Sequence, residues 1–395
     1  MKIKKKFQKT DLVILAGGYG SRIKKYLKDK PKPLLKFQNK PFLDLILNHY
    51  SKFPFEKIFI LAGYKGKEIF NRYNDKYKNF IKIKVIIEKK PLGTGGSVKA
   101  ISSQLENNTL IVNGDSFLDV NLNEVFFKKQ NLMYLTNNDN YKSNNQLSNL
   151  KIDNKGLVIF QKKGKLMNAG IYLILKNNLR IFNKKIFSLE KEIIEKLINK
   201  KEIFGISKKN FFTDIGTKEN LLKSFKNIPK YLKKPAVFLD RDGVINYDYH
   251  YVNTIKNFKL RPGVIDGIKT ILKKNYYLFI LTNQAGVGKK IFKEENFYKL
   301  HKHFKKFLSS KNLIIHDTQY CFFHPKAKIK KYKRNSIFRK PGNGMIKNIF
   351  KNWFINKKKS IFIGDKKTDQ GCAKKSNLKF YFAEKNFKKQ IKKLI

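Results

Sequence analysis

Acidic residues, cysteines and long apolar runs are all scarce in this chain. It holds 29 Asp+Glu against 87 Lys+Arg, a formal net charge of +58, with two cysteines, Cys321 and Cys372, in 395 residues. Two thiols cannot build the disulfide framework of a small secreted scaffold. No apolar run approaches the ~18 residues needed to span a bilayer, so no membrane partner is expected. Lysines followed by the apolar run Leu12–Ala16 mimic a secretion signal, but the run falls short of the ~7–15 residues such a signal needs. A cytoplasmic chain is expected. Arginine is scarce too, at seven of the 87 basic residues. Specific nucleic-acid sites favour the planar guanidinium fork. Lysine spread from end to end instead reads as a solvated surface that draws anionic metabolites, with no specific nucleic-acid partner.

The hydrophobic share of 41% is enough for packed cores, and the length suits two ordinary domains. Apolar runs at Leu12–Ala16, Lys57–Leu61, Ile81–Ile87 and Thr109–Val112 read as buried parallel strands. Helix-compatible stretches lie between them, such as Pro41–Tyr50 and Gly95–Leu105. Residues 137–149 are asparagine-rich and read as a loop. Pro229 and Pro235 bracket a candidate boundary, giving domains 1–229 and 235–395. Past it, Ala236–Leu239, Tyr276–Leu281 and Ser360–Ile363 again read as buried strands. Strands alternating with helices predict the α/β class twice over, as two Rossmann-like, mostly parallel sheets.

Phosphate-handling motifs fill both halves. In the first, Gly17-Gly18-Tyr19-Gly20-Ser21-Arg22 follows a strand. Glycines there let backbone N–H groups approach phosphates closely, and Arg22 adds a bidentate fork. Pro31 and Pro33 flank Lys32 and are expected to hold it in a fixed extended backbone suited to a phosphate. Asp115 ends a strand in Asn113-Gly114-Asp115, and Asp214 lies in the distant segment FTDIGT. A Mg2+ ion bridging phosphates uses few protein carboxylates and keeps water.

These motifs resemble the sugar-phosphate nucleotidylyltransferases, as far as about Lys223. The resemblance implies that Gly17, Gly18, Gly20 and Arg22 hold a nucleoside triphosphate and that Lys32 offsets charge during transfer. It implies that Glu88–Gly96 lines the base pocket, with Gly93 letting the base lie on the backbone, and that Asp115 and Asp214 hold Mg2+. Asn168, Gly170 and Glu190 resemble the family's sugar-side contacts. Relatives often carry Glu-Lys-Pro where this chain has Lys162-Lys163-Gly164, so Lys163 is the expected sugar-phosphate contact on an altered loop. Within the family, FSLEKEII is most similar to heptose 1-phosphate and mannose 1-phosphate guanylyltransferases.

In the second half, Asp240 and Asp242 follow a strand at i and i+2. One can attack phosphorus while the other protonates the leaving oxygen and then activates water. Thr282 and Asn283 end the next strand, Lys340 offers positive charge beside Arg339, and Asp365, with Asp369 nearby, completes a Mg2+ site with Asp240 and Asp242. DRDGVIN, TNQAG, RKPGNGM and GDKKTD resemble the haloacid-dehalogenase-like phosphatases, most of all the branch of heptose 1,7-bisphosphate phosphatases and histidinol-phosphatases. The resemblance implies that Thr282, Asn283 and Arg339 bind substrate. About forty residues separate Asp240 from Thr282, too few for a cap domain. Relatives commonly hold zinc at four positions that here read Cys321, Phe323, Ser336 and Phe338. One ligand cannot make a tetrahedral site, so no zinc is expected, and the aromatic replacements are expected to pack the loop by hydrophobic contact.

The two resemblances imply a bifunctional enzyme acting on sugar phosphates with a nucleoside triphosphate. The phosphatase would remove the 7-phosphate of D-glycero-D-manno-heptose 1,7-bisphosphate. The transferase would then convert heptose 1-phosphate to an NDP-heptose, with GTP the expected donor. The alternatives are activation of another sugar with a sugar-phosphate or histidinol-phosphate phosphatase, or nucleic-acid end processing.

Overall fold

The computed structural model describes residues 6–137, 147–180, 184–207 and 210–395. Most of the expected 137–149 loop therefore lies outside the described residues. The chain divides into two compact units, one within residues up to Ile228 and the other comprising Pro229–Ile395 with Asn48–Pro54. Residues 218–232 form one helix, Lys218–Leu232, with Pro229 inside it. The prolines therefore do not bracket an irregular linker. Pro229 withholds the hydrogen bond to the carbonyl four residues before it, and the helix ends within one turn of it.

The first unit contains β1 (Thr10–Ala16), β2 (Lys57–Ala62), β3 (Ile81–Ile87), β4 (Asn108–Asn113), β5 (Asn131–Asn137) and β6 (Leu166–Leu175). In space β3, β2, β1 and β4 lie side by side and parallel. β6 then adds antiparallel to β4, and β5 antiparallel to β6. The sequence of β1, TDLVILA, is buried at nearly every position, as a strand covered on both faces must be. Strand order reverses at β1, with β2 and β3 on one side and β4 on the other. In open α/β sheets a crevice for ligands opens at such a reversal, outside the carboxyl ends of the strands. Gly17 follows β1 and Gly114-Asp115 follows β4, so both motif loops begin there.

Gly63, just after β2, fixes the path of the first loop. A Cβ at Gly63 would lie 2.6 Å from the Gly17 carbonyl oxygen, and the Tyr64 N–H donates to that oxygen at 3.2 Å.

The second unit is a five-stranded, wholly parallel sheet: β7 (Ala236–Leu239), β8 (Tyr277–Asn283), β9 (Asp317–Cys321), β10 (Ile361–Gly364) and β11 (Lys379–Phe382), in spatial order β9-β8-β7-β10-β11. Its three central strands, β8, β7 and β10, are largely apolar because both their faces are buried. Val237, Leu239, Leu278 and Ile280 enter one core cluster. Their neighbours Ala236, Phe238, Phe279 and Leu281 enter another on the opposite face, as the two-residue period of a strand requires. Helix Val264–Lys273 buries Val264, Gly267, Ile268 and Ile271, one stripe at helical spacing. The order reverses between β7 and β10, and Asp240 and Asp365 follow those two strands. Between β7 and β8 this helix is the sole helix or strand among the described residues, which fits a sheet with no cap.

Because Gly63 meets backbone rather than a yielding side chain, Gly63→Ala should destabilise the first unit by about 1–3 kcal/mol, the range for overpacking. Scanning calorimetry should show a lowered first-unit transition with the second-unit transition in place. An unchanged midpoint would mean that the loop has room to give.

Candidate active sites

In the first unit two cavities adjoin at the carboxyl ends of β1 and β4. One, of about 340 Å3, is lined by Gly17, Gly18, Gly20, Glu88, Gly93 and Thr94. The other, of about 680 Å3, is lined by Arg22, Asn168, Gly170, Ser188, Asp214 and Asn220. Lys32, Asp115 and Glu190 line both. The sequence reading thus converges on this crevice with one exception: Lys163 is exposed on a turn and lines neither cavity.

Lys32 does not lie in extended backbone as expected. Pro31 is extended, but Lys32 opens a short 3-10 turn, Lys32–Leu34. The turn points its buried ammonium inward, where Nζ meets Asp115 Oδ2 at 2.6 Å. Asp214 reaches the same place because strands Phe212–Asp214 and Ser116–Leu118 pair antiparallel, with Asp214 opposite Ser116. Asp214 Oδ1 accepts from Gly216 N at 2.7 Å and its Oδ2 from Asn220 Nδ2 at 2.6 Å. Burial raises the Asp214 pKa, as does the nearby Asp115 charge, while Lys32 opposes them. Two carboxylates sharing a cavity with phosphate-binding loops fit a hard divalent cation such as Mg2+, which prefers oxygen ligands.

On the sugar side, Asn168 Oδ1 accepts from Gly170 N at 2.8 Å, and Asn168 Nδ2 donates to Tyr172. The strand register shifts between Asn168 and Tyr172, a bulge of the kind that re-aims side chains beside sites. Asn220 lines the crevice although the sequence did not point to it, while Thr94 lies in the Glu88–Gly96 segment expected there and Ser188 in FSLEKEII, neither with a role of its own in the sequence. Hydroxyl and amide residues carry no distinctive spacing, and only folding brings them to the cleft.

In the second unit Lys340 is almost fully buried and bridges two carboxylates. Its Nζ lies 2.8 Å from Asp240 Oδ1 and 2.6 Å from Asp369 Oδ1, and donates to Leu281 O at 2.9 Å. Burial lowers the Lys340 pKa, but Asp240 and Asp369 outweigh it and the net direction is up. Burial pushes the Asp240 carboxyl up to about 7 despite Lys340. Asp240, Asp365 and Asp369 offer ligand atoms within 4.8 Å of one another. This all-oxygen set fits Mg2+, and the buried Asp365 Oδ1 has no hydrogen-bond partner of its own.

The side chains that converge are those of Asp240, Asp365 and Asp369, whereas the Asp242 carboxylate, also expected at the metal, is turned to other partners. Asp242 is engaged elsewhere. The fully buried Arg241 grips both its oxygens, through Nε at 3.1 Å and Nη2 at 2.8 and 2.9 Å. Asn246 and Gln284 donate to it at 2.9 Å each. Thr282 Oγ1 accepts from Gln284. The Asn283 amide is committed at both ends to the Lys340 backbone, at 3.0 and 3.1 Å, so its side chain positions Lys340. Arg339 is half-buried with Nη1 unpaired, an unsatisfied donor of the kind that a bound anion would complete.

Cys321 is buried, and burial raises its pKa. His324 Nδ1 accepts from Lys326 N at 3.0 Å. Neither joins a group of three potential ligands among the described residues. The loop packs in part as expected, with Arg334 over the Phe323 ring at 4.1 Å and Phe323 against Tyr332. Phe338, the other aromatic replacement, is exposed.

Residues 12–140 match the family model described as nucleotidyl transferase. Residues 242–392 match the model described as polynucleotide kinase 3 phosphatase. A D-glycero-alpha-D-manno-heptose 1-phosphate guanylyltransferase of Campylobacter jejuni is 33% identical over 218 residues, 53% of this chain and 95% of the relative. A D-glycero-beta-D-manno-heptose-1,7-bisphosphate 7-phosphatase of Rhodopseudomonas palustris is 37% identical over 146 residues, 37% of this chain and 81% of the relative. Among solved structures, HddC from Yersinia pseudotuberculosis is 27% identical with a TM-score of 0.47, covering 55% of this chain and 99% of its own. With a relative matched over most of its length for each half, the chain belongs to the sugar-phosphate nucleotidyltransferases in its first half and to the haloacid-dehalogenase-like phosphatases in its second, a transferase and a hydrolase in one polypeptide.

Proposed function

We propose that this bifunctional enzyme carries out consecutive steps of nucleotide-heptose synthesis, removing the 7-phosphate of D-glycero-D-manno-heptose 1,7-bisphosphate and then transferring GMP from GTP to the heptose 1-phosphate left behind. One observation carries the reading. The phosphatase relative is named for a bisphosphate whose loss of the 7-phosphate yields a heptose 1-phosphate, the substrate class in the transferase relative's name. The two names differ in anomer. Hydrolysis at C7 leaves C1 untouched, so a fused pair must use one anomer throughout, and we assign the α-anomer that the guanylyltransferase relative takes. That both substrates are phosphorylated metabolites supports a cytoplasmic location, with the product feeding surface glycans such as lipopolysaccharide or capsule.

In the transferase, the sugar's own 1-phosphate attacks the α-phosphorus of GTP and pyrophosphate leaves. Gly17, Gly18, Gly20 and Gly93 hold the nucleotide, and Asn168, Gly170 and Glu190 hold the sugar. Arg22 and Lys32 offset the charge that builds up on the transferring phosphate. Asp115 and Asp214 hold Mg2+, which neutralises triphosphate charge when bound. Lys32 then exchanges its contact with Asp115 for one with phosphate.

In the phosphatase, an Asp240 carboxylate oxygen attacks phosphorus, and the phosphorus–sugar oxygen bond breaks as Asp242, released from the Arg241 fork when substrate binds and carrying a proton, gives that proton to the leaving oxygen. Asp242 then takes a proton from the water that splits the aspartyl phosphate and releases phosphate. Lys340 favours the ionised Asp240 by offsetting part of the cost of burying its charge. Asp240, Asp365 and Asp369 hold Mg2+, which adds positive charge at the transferring phosphoryl group when bound. Arg339, with its unpaired Nη1, grips the end of the substrate that is kept.

A second reading, nucleic-acid end processing, draws on the description of the second family model and on the net charge of +58. Filter binding at ~150 mM salt separates it, because nonspecific lysine contacts lose affinity steeply with salt.

With α-heptose 1-phosphate and each of the four nucleoside triphosphates, pyrophosphate should appear with GTP and not with the others. Preference for another triphosphate would reassign the base pocket. Asp240→Asn should abolish phosphate release and leave nucleotidyl transfer intact, and Asp115→Ala should do the converse, slowing transfer by a factor of ~10²–10³, as loss of an electrostatic stabiliser does. Loss of both activities from one substitution in a folded protein would contradict two independent sites. Arg339→Lys should cut kcat/KM for the bisphosphate about tenfold while sparing an aryl phosphate, because a point charge cannot replace the bidentate fork. Equal loss on both substrates would remove Arg339 from substrate choice.

A further inference from the structure

Thr94 lines the nucleotide-side cavity, yet its hydroxyl is turned to a residue of the sugar-side segment. Thr94 Oγ1 donates to Glu190 Oε2 at 2.8 Å and accepts from Leu189 N at 2.8 Å. Ser188 Oγ donates to the same Glu190 oxygen at 3.0 Å. Glu190 Oε2 is therefore held by two hydroxyls, while Oε1 has no hydrogen-bond partner among the described residues. Glu190 lines both cavities.

The two segments are also fastened through their backbones. Gly95 N and Gly96 N both donate to Phe187 O, at 3.0 and 3.3 Å, and Phe187 N donates to Leu92 O at 3.0 Å. A Cβ at Gly95 would come within 2.2 Å of the Phe187 ring, so no larger residue allows this approach. Residues 92–96 and 187–190 thus form one packed unit. Thr94 is its side-chain tie.

We propose that Thr94 is a positioning residue for the sugar phosphate: by holding Glu190 Oε2 it presents Oε1 as the acceptor for a sugar hydroxyl, so a residue that lines the nucleotide cavity sets affinity for the other substrate. The proposal rests on the nucleotidyltransferase reading above. It makes a prediction that a direct nucleotide contact does not. Thr94→Val keeps the shape and removes both hydrogen bonds. It frees Glu190 to swing, so the cost falls on the sugar.

Titration calorimetry should test wild-type full-length protein, Thr94→Val and Thr94→Ser separately with α-heptose 1-phosphate and with a non-hydrolysable GTP analogue. Thr94→Val should weaken heptose 1-phosphate binding about tenfold, the scale of one hydrogen bond to a charged group. It should move affinity for the GTP analogue less than about twofold, well under one such bond, and Thr94→Ser should restore wild-type behaviour. Unchanged sugar-phosphate affinity, or a loss confined to the GTP analogue, overturns the proposal. Wild-type protein that binds neither ligand overturns the transferase reading and this proposal with it. Should Thr94→Val fail to fold, Ser188→Ala removes the other hydroxyl on Oε2 and must weaken sugar-phosphate binding in the same direction. A Ser188→Ala protein with unchanged affinity would likewise count against the proposal.

Discussion

Carboxylates converge at both sites, and at both a buried lysine opposes the repulsion between them. Lys340 lies between Asp240 and Asp369, and Lys32 lies on Asp115 with Asp214 close by. Burial disfavours an ionised carboxylate, and a second negative charge disfavours it further. Burial and the nearby Asp369 push the Asp240 carboxyl up even with Lys340 in contact. The surrounding fold serves this electrostatic arrangement. β7 and β10 deliver Asp240 and Asp365 from neighbouring strand ends, and the Asn283 amide pins the backbone of Lys340, which bridges Asp240 and Asp369. In the first unit the 3-10 turn at Lys32 and the pairing of Phe212–Asp214 with Ser116–Leu118 play the same part.

Much of this was legible in the sequence because strand-end motifs leave a strong local trace. An apolar run that stops at glycines or at Asp-x-Asp identifies a strand and its carboxyl end together, and the parallel fold gathers such ends on one side. Glycine loop, lysine and carboxylates could therefore be grouped before any coordinates. Features set by long-range contacts were not legible. Asp242 looks like a metal ligand from its spacing, and only the folded chain shows Arg241, Asn246 and Gln284 occupying its oxygens. Asn283 looks like a ligand contact but braces Lys340. Lys163 follows the family position, yet its turn leaves it exposed. The prolines around Lys32 suggested extended backbone where a tight turn prevails. Thr94 lies in the segment expected to line the base pocket, but its tie to Glu190 had no sequence signal, because that partner lies in a segment distant along the chain.

The charge of +58 is the feature most open to misreading. The two lysines of the sites, Lys32 and Lys340, are buried, whereas most lysines are exposed. Lys32 and Lys340 differ from the rest in having carboxylate partners at 2.6–2.8 Å inside the sites. The exposed lysines still create a field that attracts anions, and every substrate of the proposed sequence is one. Composition and function are thus compatible without a nucleic-acid surface.

The central claim is that the two sites act in order on one metabolite, and a 31P NMR time course tests it most directly. The wild-type protein would receive α-heptose 1,7-bisphosphate, GTP and Mg2+ in one tube. The account predicts that the 7-phosphate resonance disappears first, with inorganic phosphate rising, followed by pyrophosphate and the paired diphosphate resonances of GDP-heptose. Release of the 1-phosphate first would contradict it, because the transferase would then lose the group that attacks GTP.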